Sequence, residues 1–426
     1  MSTVDSSVGT ASRGGPVTAL LQGGRSRRVL WVLLGVLVLL SLVRVISGEQ
    51  ELTSSATFAA ALLLAVPIGL AALGGLFSER AGVVNIGLDG MMILGTWGAG
   101  WAGYQWGWAG AVVAGVAFGL LGGLLHAIAT VTFGVDHVVS GVAINILAAG
   151  IVRFLSELVF IDNAAGGGAA QSPRLSSEQP EFSLPVLSSG PDLLGDVERL
   201  HWFLLSDVAG LLRGFTSGVG LLTVVAVLMI PGAYLLLWRT AFGLRLRSCG
   251  ENPAAADSLG VPVYRYKYIA VVISGALAGL GGVFLVFVAD IYREGQVAGR
   301  GFIGLAALIF GNWRPWGIAA GAGLFGLAQA LQLRSADSVR ALLLFGAMSL
   351  ALTGLYSLYT KRAAAFIVMS ILTATFFLLY VTVKEVPREF TYMTPYITTL
   401  LVLVFASQHL RPPAAAGKPW RKGQVT

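Results

Sequence analysis

Ala56-Thr-Phe-Ala-Ala-Ala-Leu-Leu-Leu-Ala-Val-Pro-Ile-Gly-Leu-Ala-Ala-Leu-Gly-Gly-Leu76 runs for 21 residues without a charge. As a helix rising about 1.5 Å per residue, it extends about 30 Å, the thickness of a bilayer's hydrocarbon core. Runs of this kind recur along the chain and decide its fold class. Of the 426 residues, 56% are hydrophobic and 12% charged, whereas a soluble domain carries about 25% charged residues. That composition excludes a soluble enzyme, a disordered chain and a disulfide scaffold. The 56 glycines show no collagen-like period and sit inside apolar runs. Strands of a β-barrel would alternate apolar and polar residues over about ten positions, and these runs do not. The sequence therefore predicts an all-α, polytopic transmembrane helical bundle.

Twelve spans are predicted, at roughly 29–47, 56–76, 83–100, 109–133, 137–157, 215–238, 267–289, 300–312, 316–333, 339–360, 364–383 and 391–408. Residues 29–410 thus form the transmembrane domain, between a disordered tail at 1–28 and a C-terminal tail at 411–426. Arg25, Arg27 and Arg28 precede the first span. The basic region is long and the cleavage pattern poor, so a retained helix is favoured over a cleaved signal peptide. The net charge of +7 would suggest nucleic acid in a soluble protein. Here the bases sit in short loops and termini, where they report orientation, and no nucleic-acid partner is expected. Segments 239–266 and 411–426 are basic and read as cytoplasmic. The acid-bearing loop 48–55 and the long Gly/Ser/Pro-rich, acidic segment 158–214 read as external. These assignments place both termini inside.

Two stretches carry candidate chemistry. The first is Val84-Asn85-Ile86-Gly87-Leu88-Asp89-Gly90-Met91-Met92. Asn85 and Asp89 interrupt an apolar run, and on a continuous helix Asp89 would lie about 10 Å beyond Gly82. A carboxylate at the middle of a span costs about 2.5–3.5 kcal/mol on insertion scales, so it should face a cavity or a partner. Gly87 and Gly90 allow close backbone approach or a helix break that exposes N–H groups to a solute. The competing reading is a polar knot that staples helices together. Ile86-Gly87-Leu88 and Ile303-Gly304-Leu305 each open an apolar stretch, and on this topology the two run in opposite directions, as in inverted repeats. Asn145 lies on the fifth span, where it either lines a path or bonds between helices.

The second stretch is residues 243–260, Gly-Leu-Arg-Leu-Arg-Ser-Cys-Gly-Glu-Asn-Pro-Ala-Ala-Ala-Asp-Ser-Leu-Gly. Asn252 suits a helix N-cap and Pro253 the first helical position. Gly260 and Pro262 stop the helix. A connecting loop is usually only a few residues long, so one containing a helix is more than connection requires. The shape suits docking into another protein, with Gly250, Glu251, Asn252, Pro253, Ala256 and Gly260 as the residues concerned; the alternative is a plain connecting loop.

Other residues carry less. Arg153 and Glu157, four apart, are placed to pair. Trp97, Trp101, Trp106 and Trp108 read as an interfacial belt in preference to a stacking site for a ring-shaped solute. His126, His137, His201 and His409 have no metal-ligand spacing, and Cys249 reads as an ordinary buried thiol. There is no Walker A stretch, since Gly417-Lys418 is followed by Pro419. No metal, haem or catalytic Ser/His/Asp grouping is seen. The chain is expected to be no enzyme and to hold no cofactor or metal.

Four pieces of the chain resemble a known family. They are Gly75-Leu-Phe-Ser-Glu-Arg-Ala-Gly-Val-Val-Asn-Ile-Gly-Leu-Asp-Gly-Met-Met92; the 243–260 stretch above; Ser274-Gly-Ala-Leu-Ala-Gly-Leu-Gly-Gly282 followed by Gly301-Phe-Ile-Gly-Leu-Ala-Ala-Leu-Ile-Phe-Gly-Asn-Trp313; and Met393-Thr-Pro-Tyr-Ile397 with Arg411-Pro-Pro-Ala-Ala-Ala-Gly417. With their order and spacing, these resemble permease subunits of bacterial ABC importers of the simple sugar, nucleoside and branched-chain amino acid branch, closest to guanosine-type nucleoside permeases. The resemblance implies a permease in the bacterial plasma membrane that pairs with a second permease subunit. It implies a cytoplasmic ATPase that binds the ATP and docks on the short helix Asn252–Leu259, at the core of residues 243–262. It also implies an external substrate-binding lipoprotein that delivers the solute. Asn85, Gly87, Asp89, Gly90 and Asn145 would lie by the translocation path. The chain departs from the family pattern in its N-terminal tail, its long loop 158–214, the inserted span pair within 339–383, and Asp89 where Glu is expected. Alternatives are a permease for a monosaccharide such as ribose and an ion-coupled secondary transporter, though few buried ionisable groups besides Asp89 are on offer for a coupling ion.

Overall fold

A computed structural model describes residues 24–161, 163, 165–334, 336–383 and 410–422. The predicted span 391–408, the segment Met393–Ile397 and the tail up to residue 23 lie outside the described residues. The helices are α1 (Gly24–Ser47), α2 (Ser55–Arg80), α3 (Leu88–Ala127, continued by a π turn over Ile128–Thr132) and α4 (His137–Phe160), then the short α5 (Leu193–Arg199) and α6 (Leu205–Gly214). There follow α7 (Leu221–Arg239), α8 (Ala241–Glu251), α9 (Pro253–Ser258), α10 (Val263–Ala289), α11 (Arg300–Phe310), α12 (Pro315–Arg334), α13 (Ala336–Tyr359) and α14 (Ala363–Thr382). Two-residue strands β1 (Glu181–Phe182) and β2 (Val219–Gly220) pair antiparallel. Eight helices among the described residues are long and apolar enough to cross a bilayer. The chain is an all-α polytopic membrane protein.

The predicted third and fourth spans are the two arms of α3. Gly107 breaks the helix with φ 69° and ψ −167°, a conformation open to glycine because it has no Cβ. The chain folds back there, so that Gly98 faces Ala114 and Gly103 faces Ala111. The third span was expected to start at 83; the helix starts instead at Leu88, and residues 81–87 cross the interior unwound. The first helix starts at Gly24, so Arg25, Arg27 and Arg28 lie on it instead of before it.

The most extensive helix–helix packing among the described residues joins α3 to α10. A Cβ on Gly95 would lie 2.5 Å from Gly279 Cα, and one on Gly119 would lie 2.5 Å from Gly275 O. Lipid tails are as apolar as side chains, so helices in a bilayer gain cohesion from close van der Waals contact, which small residues permit. On the other side of the core, Leu73, Leu76 and Phe77 of α2 pack with Leu308 of α11 and with Ile318 and Phe325 of α12. The helix pair α13–α14, which contains most of the predicted insertion 339–383, is a hairpin at the bundle's edge. Its Leu344 and Tyr380 sit in one cluster with Leu40 and Val43 of α1, and α14 presents Ile367, Ile371, Phe377 and Leu378 outward.

At one end of the bundle, a buried polar cluster ties α1 to α6. Arg44 Nε lies 2.9 Å from Asp207 Oδ1, and Ser41 Oγ donates to Asp207 Oδ2 at 2.5 Å. Thr53 Oγ1 also donates to Asp207. Both charged side chains are almost fully shielded, where losing one partner would strand the other charge. At this end too, Arg153 pairs with Glu157 at 2.8 Å and with Glu294 at 2.6 Å. The tryptophan cluster divides. Trp106 is exposed, but Trp97 is buried, stacks on Trp101 with centroids 6.0 Å apart, and donates to Ser156 Oγ at 3.1 Å.

Candidate functional site: an unwound crossing between two helix starts

Unwound backbone cannot face hydrocarbon with its polar groups unpaired. Each turn of residues 81–87 therefore raises the question of where those groups bond. Gly82 N–H and Val83 N–H donate back to Glu79 O and Ser78 O, the last turn of α2. Ser78 Oγ donates to Val83 O at 2.5 Å. Val84 is held by two histidines: its N–H donates to His137 Nδ1 at 3.3 Å, and its carbonyl accepts from His126 Nε2 at 3.0 Å. Because a carbonyl can only accept, His126 carries its proton on Nε2, and in the neutral ring Nδ1 accepts from Ser140 Oγ at 2.9 Å. Asn145 Nδ2 donates to Ile86 O at 3.1 Å, and Asn85 Oδ1 accepts from Gly87 N–H at 3.0 Å.

The helix starts beyond this crossing are satisfied in the same way. Asn145 Oδ1 accepts from Gly90 N–H at 2.7 Å, in the first turn of α3. Asp89 Oδ1 accepts from Gly301 N–H at 2.9 Å, in the first turn of α11. The backbones meet so closely that a Cβ on Gly301 would sit 2.4 Å from Asp89 Cα. From this meeting point the first arm of α3 runs to Gly107 beside Ser177, while α11 runs to Trp313 beside Arg80 and Glu79. Two helix N-termini thus start together in the interior and diverge to opposite ends. Each presents a partial positive charge, which the Asp89 carboxylate balances. Asp89 Oδ2 has no hydrogen-bond partner among the described residues and so remains available as an acceptor.

All five path candidates come together here. Asn85 is fully buried and donates to Ser274 Oγ at 2.9 Å. Gly87 caps α3, and Gly90 lies against Asn145 with no room for a side chain. The arrangement is a buried polar network in which the unwound backbone and the two helix starts are bonded to side chains of distant helices. His126 and His137, which the sequence marks only by their lack of metal-ligand spacing, are the partners of Val84. The signal that finds them is the demand of an unwound segment for partners. Their contribution is measurable. We expect His126→Leu, which strands the Val84 carbonyl, to cost about 1–3 kcal/mol and to lower the thermal midpoint of the detergent-solubilised protein. An unchanged midpoint would mean that this carbonyl has another partner.

The second group of candidates also assembles, at the end carrying α8 and α9. Asn252 Oδ1 accepts from Ala255 N–H at 2.9 Å, and Pro253 opens α9. The expected helix Asn252–Leu259 is observed as Pro253–Ser258, with Asn252 as the cap and Leu259 as the exit. Gly260 takes φ 80°, and Ala256 is buried. Leu259 is 85% exposed, an apolar side chain projecting from the tip. Gly250 lies against the crossing itself: a Cβ there would meet Arg80 O at 2.2 Å and Gly82 N at 3.0 Å. Glu251 Oε1 is 3.6 Å from Arg80 Nη1. Burial pushes the Cys249 thiol up to about 11, so it stays protonated and inert. Among the described residues no group of His, Cys, Asp and Glu is placed to hold a metal.

A polytopic bundle with two interior helix starts facing one carboxylate has the architecture of a membrane permease. Residues 57–352 match the family described as the permease component of the branched-chain amino acid transport system, and the chain belongs to that family. It is 34% identical to the guanosine ABC transporter permease protein NupQ of Bacillus subtilis, over 86% of this chain and 96% of the relative. It is 31% identical to the nucleoside ABC transporter permease protein NupC of Lactococcus lactis, over 83% and 93%. It is 33% identical to the putative glucose ABC transporter permease protein TsgC13 of Haloferax volcanii, over 66% and 79%. No solved structure matches the chain. The chain is an ABC permease subunit, which sets aside the ion-coupled reading.

Proposed function

We propose that this chain imports nucleosides across the bacterial plasma membrane as one of two paired permease subunits. The observation that carries this cargo is the likeness to the guanosine permease over nearly the whole of both chains. A separate cytoplasmic ATPase binds and hydrolyses the ATP, so the permease needs no cofactor of its own. An external binding lipoprotein hands over the solute. Both termini lie in the cytoplasm in this reading, which the distribution of Lys and Arg over short loops supports. In this reading Asn85, Gly87, Asp89, Gly90 and Asn145 border the path, and α8–α9 form the docking segment for the ATPase. Leu259 supplies an apolar knob for a cleft in that partner. Movement of Gly250 against Gly82 and of Glu251 against Arg80 passes the stroke to the crossing, where the helix starts separate and rejoin. The likeness to a putative glucose permease supports a second reading, a monosaccharide such as ribose.

Uptake by a strain lacking this chain decides between them. Loss of guanosine uptake with ribose uptake intact is expected; the reverse pattern would replace nucleoside by sugar. In the same strain, Gly260→Pro is incompatible with φ 80°, because proline fixes φ near −65°. It is expected to abolish co-purification of the ATPase while the permease remains inserted. Wild-type co-purification would remove α9 from the docking surface.

A further inference from the structure

Residues 410–422, which follow the last predicted span, do not leave the bundle. They cross the end that carries α8 and α9, and all but the last of their backbone contacts fall on or beside elements that the proposed mechanism moves. Arg411 N–H donates to Asn312 Oδ1 at 2.8 Å, just past the end of α11. Ala414 N–H donates to Glu251 Oε2 at 3.2 Å, and Ala415 N–H to Gly250 O at 2.9 Å, at the junction of α8 and α9. Gly417 N–H donates to Gly82 O at 3.3 Å, at the head of the unwound crossing. Lys422 N–H reaches Tyr264 Oη at 3.3 Å, on the first turn of α10. Between the last two contacts, Trp420 inserts its ring beside Tyr264, with centroids 5.2 Å apart, into the apolar cluster of Cys249 and Ala256.

We propose that residues 410–422 are a transmission strap and that Trp420 is its positioning residue, clamping the docking helices to the crossing and to the end of α11. The proposal rests on the reading of α8–α9 as the ATPase dock. Without the strap, the dock meets the crossing through the Gly250–Gly82 packing, and it reaches the end of α11 only by way of Arg80, which lies 3.6 Å from Glu251 and donates to Trp313 O at 2.8 Å. With it, one short segment holds the dock, the unwound segment and the far end of the opposing half-helix. A movement of the dock then displaces both half-helices together. The indole of Trp420 is 8% exposed, and its N–H has no acceptor among the described residues. Its contribution is therefore the volume of the ring, which phenylalanine largely retains and alanine does not.

The test uses the full chain, reconstituted in liposomes with its partner permease, ATPase and binding protein, and reads guanosine taken up per ATP hydrolysed. Trp420→Ala is expected to retain the ATPase and its hydrolysis within about twofold of wild type, while uptake per ATP falls at least fivefold. Trp420→Phe is expected to restore the ratio to within twofold. A plain structural end-cap would instead lower the amount of complex at a constant ratio; that result, or an unchanged ratio, overturns the strap. Ala414→Pro removes only the N–H held by Glu251 and serves if Trp420→Ala does not fold. It is expected to lower the ratio about twofold, and a wild-type ratio would likewise count against the strap. A wild-type complex showing no ATP-driven uptake would strike at the importer reading instead.

Discussion

Asp89→Ala is expected to reduce solute uptake by tenfold to a hundredfold while the protein stays in the membrane at its normal level. The carboxylate does two things at once. Its Oδ1 holds Gly301 N–H at 2.9 Å, joining the start of α11 to the start of α3, and its charge faces the positive ends of both helices. A charge-assisted bond contributes about 1.5–3 kcal/mol, and every 1.4 kcal/mol is a factor of ten. The alanine variant loses both contributions at the point where the proposed mechanism has the half-helices separate and rejoin. Asp89→Asn retains an acceptor for Gly301 but no charge, so it should lie between wild type and alanine. Uptake normalised to permease in isolated membranes is the measurement. Normal uptake by Asp89→Ala would make this residue a packing knot and move the path elsewhere.

Gly279→Val should eliminate folded protein altogether. The Cβ of any residue there would lie 2.6 Å from Gly115 O and 2.8 Å from Gly119 Cα. These are backbone atoms of a neighbouring helix, which no rotamer change can clear. Overpacking a close-packed interior typically costs about 1–3 kcal/mol, occasionally more. Here the clash also prises apart α3 and α10, the helices that flank the crossing. The expected result is loss of the monodisperse peak on size-exclusion chromatography in detergent. Gly232→Ala is the control, because no heavy atom lies within 4 Å of its Cβ position; it should elute as wild type. A normal peak for Gly279→Val would mean that the two helices stand further apart than described.

The two short stretches were legible for different reasons. Asn252, Pro253 and Gly260 announce a helix start and stop through local chemistry: a side chain that caps, a ring that suits the first turn, and a residue free to take positive φ. The observed α9 falls within one residue of that reading. Asn85 and Asp89 were visible because polar groups in an apolar run are costly. Their partners were not visible. Ser274 lies 189 positions from Asn85, and Gly301 lies 212 positions from Asp89. The same holds for Asp207 with Arg44, 163 positions apart, and for the strap, whose Pro/Ala/Gly composition resembles any loop. The start of α3 was misplaced by five residues because Val83, Val84 and Ile86 are as apolar as the helix that follows.

From the amino-acid order alone came the all-α membrane bundle, the division of its ends by charge, and the two places where chemistry gathers. Those follow from hydropathy, capping and loop composition, which act between residues close in the chain. Only the folded bundle decided that residues 81–87 stay unwound, that two histidines and two asparagines supply the bonds a helix would have supplied, and that Asp89 caps a helix over two hundred residues away. The physical reason is the solvent. A bilayer offers no hydrogen bonds, so each unwound N–H and carbonyl must find its partner elsewhere in the protein, and which partner that is depends on tertiary packing.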